Sequence, residues 1–368
     1  MKLYLIAGEA SGDLHGSNLI KALLQQQPNL QLRGWGGDKM EAAGATLVKH
    51  YRHLAFMGFA EVLMNLRTIL RNISFCKQDI AQYNPDAIIL IDYPGFNLRI
   101  AKWAKAAGYK VIYYISPQVW AWKAGRVKQM KQTIDLMLTI LPFEKAWYAQ
   151  HWQWPVHYVG HPLVSVIESY TPKINSFSTK PVVALLPGSR RQEIQAKLPV
   201  MLQVADRFPQ YDFIVAKAPA LPDDFYKTLL QPYANVKSVG GLTYDLLLQA
   251  KAAMVTSGTA TLETALFKVP QVVCYKGNPI SYAIARRLIK IKYISLVNLI
   301  LDAPVVTELI QHQLTPNALA AELEKLLHNH DTRQRLQQQY QQLNEVLKAG
   351  GNASTNAARM IMQFLQTA

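Results

Sequence analysis

The chain has 368 residues, half of them hydrophobic and only 17% charged, which excludes disorder as its main state and allows two ordinary cores. Its 39 basic and 24 acidic residues leave a formal charge of +15, so a polyanionic partner is expected: nucleic acid, a phosphorylated substrate or an anionic membrane surface. Two cysteines rule out a disulfide framework, and with no close Cys/His cluster a structural zinc site is not expected.

From the N-terminus, only a short apolar run separates Met1-Lys2 from Glu9, too brief for a signal-peptide core. No stretch reaches spanning length, so a cytosolic protein is expected, one that meets a membrane only at its surface. Short apolar runs predict strands at Lys2–Gly8, Gln31–Gly36, Asp86–Asp92, Lys110–Ile115 and Leu136–Leu141. Helical stretches such as Ser11–Gln26 and Phe96–Ala107 follow them, the alternation of a parallel sheet covered by helices. Leu54–Asn72 is amphipathic and strongly apolar; it reads as a core helix or, less commonly, as an interfacial helix with Arg67 and Arg71 on its polar face. The polar run Ser169–Lys180 predicts an inter-domain linker. The pattern restarts at Pro181–Gly188 and continues with strands at Asp212–Ala218, Val236–Gly240, Ala252–Ser257 and Gln271–Tyr275, and from about Thr315 it is helical only. Two consecutive α/β halves imply a cleft, with the chemistry in loops beyond the carboxyl ends of the strands.

The first such loop, Gly8-Glu9-Ala10-Ser11-Gly12-Asp13-Leu14-His15-Gly16, leads from strand into helix. Its glycine spacing is not the dinucleotide fingerprint, and Glu9 and Asp13 would repel a phosphate. Acceptor hydroxyls suit it better, although a capped helix start uses the same residues. The third strand ends in Ile91-Asp92-Tyr93-Pro94-Gly95-Phe96-Asn97, where Asp92 is a candidate general base or substrate hydroxyl ligand, or simply a helix cap. Ser116–Lys123 places two tryptophans in a loop, where large apolar side chains need a pocket or a ligand. Between Tyr93 and Ile134 there is no acid but eight bases: Arg99, Lys102, Lys105, Lys110, Lys123, Arg126, Lys128 and Lys131. Interleaved with aromatics, they read as a nucleic-acid face, a lipid-headgroup face or solvated helix surfaces.

In the second half, Leu185-Leu186-Pro187-Gly188-Ser189-Arg190 runs from a buried strand through a Gly-Ser turn to an arginine at a helix start. Backbone N–H groups, a hydroxyl and a guanidinium there suit a diphosphate leaving group. The turn lacks the Gly-Lys-Ser/Thr ending of a P-loop, which disfavours nucleoside triphosphate hydrolysis. A second turn, Thr256-Ser257-Gly258-Thr259, also opens a helix, and Glu263 one turn later is placed to accept from ribose hydroxyls.

These motifs, taken together, resemble lipid-A-disaccharide synthase, a glycosyltransferase family. The resemblance covers essentially the whole chain. It rests on GEASGD at Gly8–Asp13, MGF.EVL at Met57–Leu63, SPQVWAW at Ser116–Trp122, RV at Arg126–Val127, LPFEKAWY at Leu141–Tyr148, VGHPL at Val159–Leu163, LLPGSR at Leu185–Arg190, SGTATLE at Ser257–Glu263 and YISLVNLI at Tyr293–Ile300. It implies the α/β GT-B fold: two Rossmann-like parallel-sheet domains facing a cleft, residues 1–168 for the acceptor and membrane and 181–340 for the UDP-sugar. Helices at 341–368 would pack back on the first domain or exchange between the subunits of a homodimer. The implied reaction joins UDP-2,3-diacylglucosamine to 2,3-diacylglucosamine 1-phosphate with inversion, on the cytoplasmic face of the inner membrane of a Gram-negative bacterium, without cofactor or metal. By motif, Gly188, Ser189 and Arg190 would hold the diphosphate, and Ser257, Gly258, Thr259 and Glu263 the phosphate and ribose. Asn298 would lie near the donor, and Glu9 and Asp13 would face the acceptor or reacting centre. Many members carry a second aspartate where this chain has Gly95, which leaves Asp92 as the favoured base, with Glu9 or Asp13 as alternatives. Under this resemblance the charge belongs to an anionic membrane surface and phosphorylated substrates, with Lys276, Arg286, Arg287, Lys290 and Lys292 as a further basic cluster, and not to nucleic acid. Another UDP-sugar enzyme of the same fold, an epimerase or transferase, and a basic nucleic-acid-binding protein remain the alternatives.

Overall fold

The computed structural model describes residues 1–53, 66–174, 176–219, 221–279, 282–283, 287 and 291–367. Their strands form two sheets. The first is β1 (Lys2–Ala7), β2 (Gln31–Gly36), β3 (Thr46–His50), β4 (Ala87–Ile91), β5 (Lys110–Tyr114), β6 (Leu136–Thr139) and β7 (His157–Tyr158), in the order β3-β2-β1-β4-β5-β6-β7. The second is β8 (Val182–Leu186), β9 (Asp212–Lys217), β10 (Val236–Gly240), β11 (Ala250–Thr256), β12 (Gln271–Tyr275) and β13 (Glu308–Ile310), in the order β10-β9-β8-β11-β12-β13. All pairings are parallel. Each sheet starts near its middle, runs to one edge and returns to the other side of its first strand, the doubly wound Rossmann order.

This order has a consequence for function. The chain reverses direction across the β1/β4 pair in one sheet and across β8/β11 in the other, and ligands of such sheets bind beyond these switch points. The register pairs Ala7 with Ile91 and Leu186 with Val255, so the loops that follow start side by side. Those are the loops at Gly8–Asp13 and Asp92–Gly95, and at Gly188–Arg190 and Ser257–Thr259.

Burial follows from the parallel arrangement, since helices cover both faces of each sheet. Along β1, Leu3, Leu5 and Ala7 enter one apolar cluster and Tyr4 and Ile6 the other. The C-terminal helix Ala353–Thr367 buries Ala357, Ala358, Ile361 and Leu365 in the first cluster, with Leu19, Ile20 and Leu23 of helix Ala10–Gln26. The compact units are accordingly Met1–Pro162 with Leu347–Ala368, and Leu163–Val346. The first division falls at Pro162, ahead of the polar run 169–180. That run is anchored within the second unit: Asp245 accepts from the N–H of Lys173 at 2.6 Å and of Ile174 at 3.0 Å, and from the Tyr170 hydroxyl.

The interior strands lie where the apolar runs predict them, trimmed mostly at their carboxyl ends. Three strands carry no such signal: β3, β7 and β13. Each is at a sheet edge, where one side has no partner strand and the apolar run is short or broken. Of the predicted amphipathic segment Leu54–Asn72, residues 54–65 lie outside the described residues, as do the motif at Met57–Leu63 and the basic residues Arg286 and Lys290; helix Leu66–Tyr83 is described. Among the described residues no helix is long and apolar enough to cross a membrane.

Candidate active site

In the first unit, Asp92 leaves β4 in a left-handed conformation (φ +45°), and Tyr93 follows at φ +48°. Two consecutive non-glycine residues of this kind are strained and persist only when their surroundings hold them. Buried Asn97, on helix Pro94–Ala106, donates its amide to the Asp92 carbonyl at 2.7 Å and to the Ile91 carbonyl at 3.2 Å. The Tyr113 hydroxyl donates to the same Asp92 carbonyl at 2.6 Å. Burial, and then the nearby Glu9 carboxylate, push the Asp92 carboxyl up to about 6. Near neutral pH this group is ionised and only just so, as a general base should be.

The other acids of the first loop divide. Glu9 sits at the cap position of helix Ala10–Gln26 without a capping hydrogen bond, close enough to raise both Asp92 and Tyr93. Asp13 is buried and accepts from the N–H of Gly37 at 2.8 Å, Lys39 at 3.2 Å and Met40 at 3.0 Å. Both of its oxygens thus cap the short helix Asp38–Ala42, so its hydrogen-bonding capacity is engaged by backbone. Gly8 is needed for packing: a Cβ there would meet the Tyr93 ring at 2.3 Å. Gly95, by contrast, faces open space, with nothing within 4 Å of an added Cβ.

The loop after β5 begins at Ile115 with φ +69°, an outlying conformation for a β-branched residue. Its two tryptophans part ways. Trp120 donates its indole N–H to Glu144 at 3.1 Å and packs edge-on against Phe143, whereas Trp122 is 46% exposed beneath the Lys123 ammonium at 4.1 Å from its ring centre. Glu144 also accepts from the Leu141 N–H at 3.1 Å, and burial pushes its carboxyl up to about 8.

In the second unit, a cavity of about 360 Å³ opens at the carboxyl ends of β8, β9 and β11. Its lining brings together Gly188, Ser189, Arg190, Ser257, Gly258, Thr259 and Glu263, seven of the residues singled out from sequence. Gly188 (φ +129°) and Gly258 (φ +136°) take backbone conformations closed to other residues, which lets each strand turn sharply into its helix. The first residues of helix Thr259–Leu266 share this lining with Arg190, and free N–H groups at a helix start are chemically able to take an anion. Glu263 is oriented by the Tyr244 hydroxyl at 2.9 Å, and burial raises its carboxyl above the ordinary range.

Asn298 is not part of that lining. It is buried, donating to the Val306 carbonyl at 2.9 Å and to Glu308 at 3.0 Å and accepting from the Val306 N–H at 2.9 Å. Glu308 in turn accepts from the Ile294 N–H at 3.1 Å, and the Ile294 carbonyl accepts from the Ser257 hydroxyl at 2.8 Å. Asn298 therefore buttresses the cavity turn through two intermediates. The lining also includes Thr256, the first residue of the second turn, and Glu193 and Lys217, for which the sequence suggested no role. Lys217 ends β9, and the rule that chemistry follows strand ends would have found it. Tyr113 and Tyr244 bear no sequence signal, since each acts through a residue distant in the chain.

Comparison with known proteins gives the family and the fold. Residues 3–363 match the family described as LpxB, lipid-A-disaccharide synthetase. A lipid-A-disaccharide synthase of Coxiella burnetii (strain CbuG_Q212) is 40% identical over 374 residues, covering 98% of both chains. One from Geobacter metallireducens is 40% identical over 375 residues, covering 99% of this chain and 97% of the other. Among solved structures, the glycotransferase of kitacinnamycin matches with a TM-score of 0.66 at 15% identity over 99% of each chain. A UDP-GlcNAc 2-epimerase from Neisseria meningitidis bound to UDP-GlcNAc matches with a TM-score of 0.67 at 12% identity over 100% of each chain. At these identities the structural likeness shows the shared GT-B fold alone.

Proposed function

The chain belongs to the lipid-A-disaccharide synthase family, a glycosyltransferase family of lipid A biosynthesis, and from that premise we propose that it joins UDP-2,3-diacylglucosamine to 2,3-diacylglucosamine 1-phosphate, giving the β-1,6-linked disaccharide 1-phosphate and UDP. The observation that carries the donor half is the cavity pairing Gly188-Ser189-Arg190 with the turn at Ser257–Thr259. Its N–H groups, hydroxyls and guanidinium match a diphosphate, and Glu263 matches a ribose diol. A structure of the same fold bound to UDP-GlcNAc supports the assignment.

In the proposed mechanism the acceptor 6-hydroxyl gives its proton to Asp92 as its oxygen attacks C1 of the donor. The bond from C1 to the diphosphate breaks, and its electron pair leaves with UDP. Direct displacement inverts the α-linked donor to the β product. Arg190 and the backbone donors stabilise the charge that develops on the leaving diphosphate. Asp92 is suited to its part because burial holds it poised near neutrality.

Diacylated substrates reside in a bilayer, so the enzyme has to work at an anionic membrane surface. Trp122 with Lys123, and the exposed Leu70 and Phe75 of helix Leu66–Tyr83, combine apolar and basic groups as an interfacial surface does. The excess of positive charge fits that surface and the phosphorylated substrates better than nucleic acid. The test is a turnover assay with the two substrates, with and without detergent or anionic lipid. UDP release is expected, and its absence under every condition defeats the proposal.

A further inference from the structure

The cavity of the second unit contains an arrangement of charges beyond what a diphosphate site requires. Lys197, on helix Arg191–Ala205, is only 3% exposed. Its ammonium donates to the Thr256 hydroxyl, and among the described residues no carboxylate lies within ion-pair distance of it. An unpaired buried ammonium is costly unless a ligand supplies the missing negative charge. Thr256 is the last residue of β11 and lines the cavity, so Lys197 stands one side chain behind its wall. Burial holds the ammonium below the ordinary lysine range, and Glu193 acts in the opposite direction.

One turn earlier on the same helix, Glu193 reaches the loop proposed for the diphosphate. One of its oxygens accepts from the Ser189 N–H at 3.3 Å, and the other is 3.7 Å from the Arg190 guanidinium. A Cβ at Gly188 would lie 2.6 Å from that first oxygen, so the carboxylate enters only because residue 188 has no side chain. A carboxylate that takes an N–H and a guanidinium meant for phosphate is chemically a stand-in for it.

We propose that Glu193 and Lys197 together set the affinity of this site for a diphosphate: Glu193 is the resident anion that the diphosphate displaces, and Lys197 is a second cation whose charge the diphosphate then meets. The inference rests on reading the cavity as a nucleoside-diphosphate site. A diphosphate brings more negative charge and more acceptor oxygens than one carboxylate, so the exchange favours binding. The carboxylate's return assists departure of the product. Glu193 thereby prevents Lys197 and Arg190 from retaining UDP too tightly.

The test is calorimetric titration of UDP, uridine and inorganic pyrophosphate into the wild type, Lys197→Met, Glu193→Gln and Arg190→Ala, with thermal unfolding of each unliganded protein. Lys197→Met is expected to weaken UDP and pyrophosphate about tenfold, leave uridine unchanged and leave the free protein at least as stable. Glu193→Gln is expected to tighten UDP several-fold, again without effect on uridine. If Lys197→Met binds UDP as the wild type does, or loses uridine binding and stability together, Lys197 is structural and the proposal fails. It fails equally if Glu193→Gln weakens UDP, since Glu193 is then a support of the loop. A wild type that binds UDP no better than uridine, with no effect of Arg190→Ala, overturns the nucleotide site itself and this inference with it. A UDP preference lost in Arg190→Ala but unaltered in the other two variants overturns the inference alone.

Discussion

The Tyr113 hydroxyl donates to the main-chain carbonyl of Asp92 at 2.6 Å, fixing from a neighbouring strand the residue at which β4 turns into its helix. Asn97, from the helix that follows, holds the same carbonyl at 2.7 Å. The carbonyl is thereby committed to two donors, which hold the residue in its strained conformation at φ +45°.

Asp92→Asn keeps the shape of the side chain and removes its basicity. Turnover should fall by at least ~100-fold, in the range of lost acid–base catalysis, while UDP binding is retained. Steady-state kinetics alongside calorimetry checks both, and near-native turnover removes Asp92 from the base role.

The acid limb of the pH profile should follow the same group. Asp92 must be deprotonated to accept the hydroxyl proton, so kcat/KM should decline as pH falls through about 6, where burial and then Glu9 have raised it. Glu9→Gln removes the like charge and should move the limb to lower pH. A limb that stays in place or moves upward contradicts the coupling.

Gly95 lies in the first turn of helix Pro94–Ala106 with open space around it. Gly95→Asp should be accommodated without loss of thermal stability, because an acid near a helix N-terminus is favourable by about 0.3–1 kcal/mol. In the Asp92→Asn background it should not restore turnover if Asp92 is the base. Restored turnover would move that role to position 95.

Asp13→Ala would leave the N–H groups of Gly37, Lys39 and Met40 without their acceptor. The expected loss is about 1–3 kcal/mol of stability, measured by denaturant unfolding. Asp13→Asn should recover part of it, because one amide oxygen still accepts. A variant as stable as the wild type but inactive would assign Asp13 a part in the chemistry beyond the helix cap.

Trp122 and Lys123 offer an exposed ring beneath an ammonium. The double change Trp122→Ser, Lys123→Ser should lower cosedimentation with vesicles containing anionic lipid and leave UDP binding intact. Unaltered cosedimentation would exclude this loop from the membrane surface.

Sequence reading succeeded where the physics is local. Buried parallel strands are covered on both faces and must be continuously apolar, so β1, β4, β8 and β11 were visible as short runs, and the loops after them as turns rich in glycine and hydroxyls. Edge strands β3, β7 and β13 are only partly covered and needed no such run. The turns around Gly188 and Ser257 were legible because each is a run of adjacent residues between a strand and a helix, and both line one cavity. Asp13 and Asn298 had the right residue types, but their hydrogen-bonding capacity is used by backbone from other segments, which spacing does not reveal.

By itself, then, the sequence determined two doubly wound halves, a surplus of positive charge and the turns able to hold a diphosphate. The tertiary structure decided the partners and the solvation of each carboxylate. It gave Asp13 to a helix cap, left Asp92 half-buried beside Glu9, and set Glu193 against the Ser189 N–H on the helix that buries Lys197. The reason is that a side chain's charge and hydrogen-bonding capacity are written in its residue type, whereas its solvation and its partners come from whatever the fold places against it.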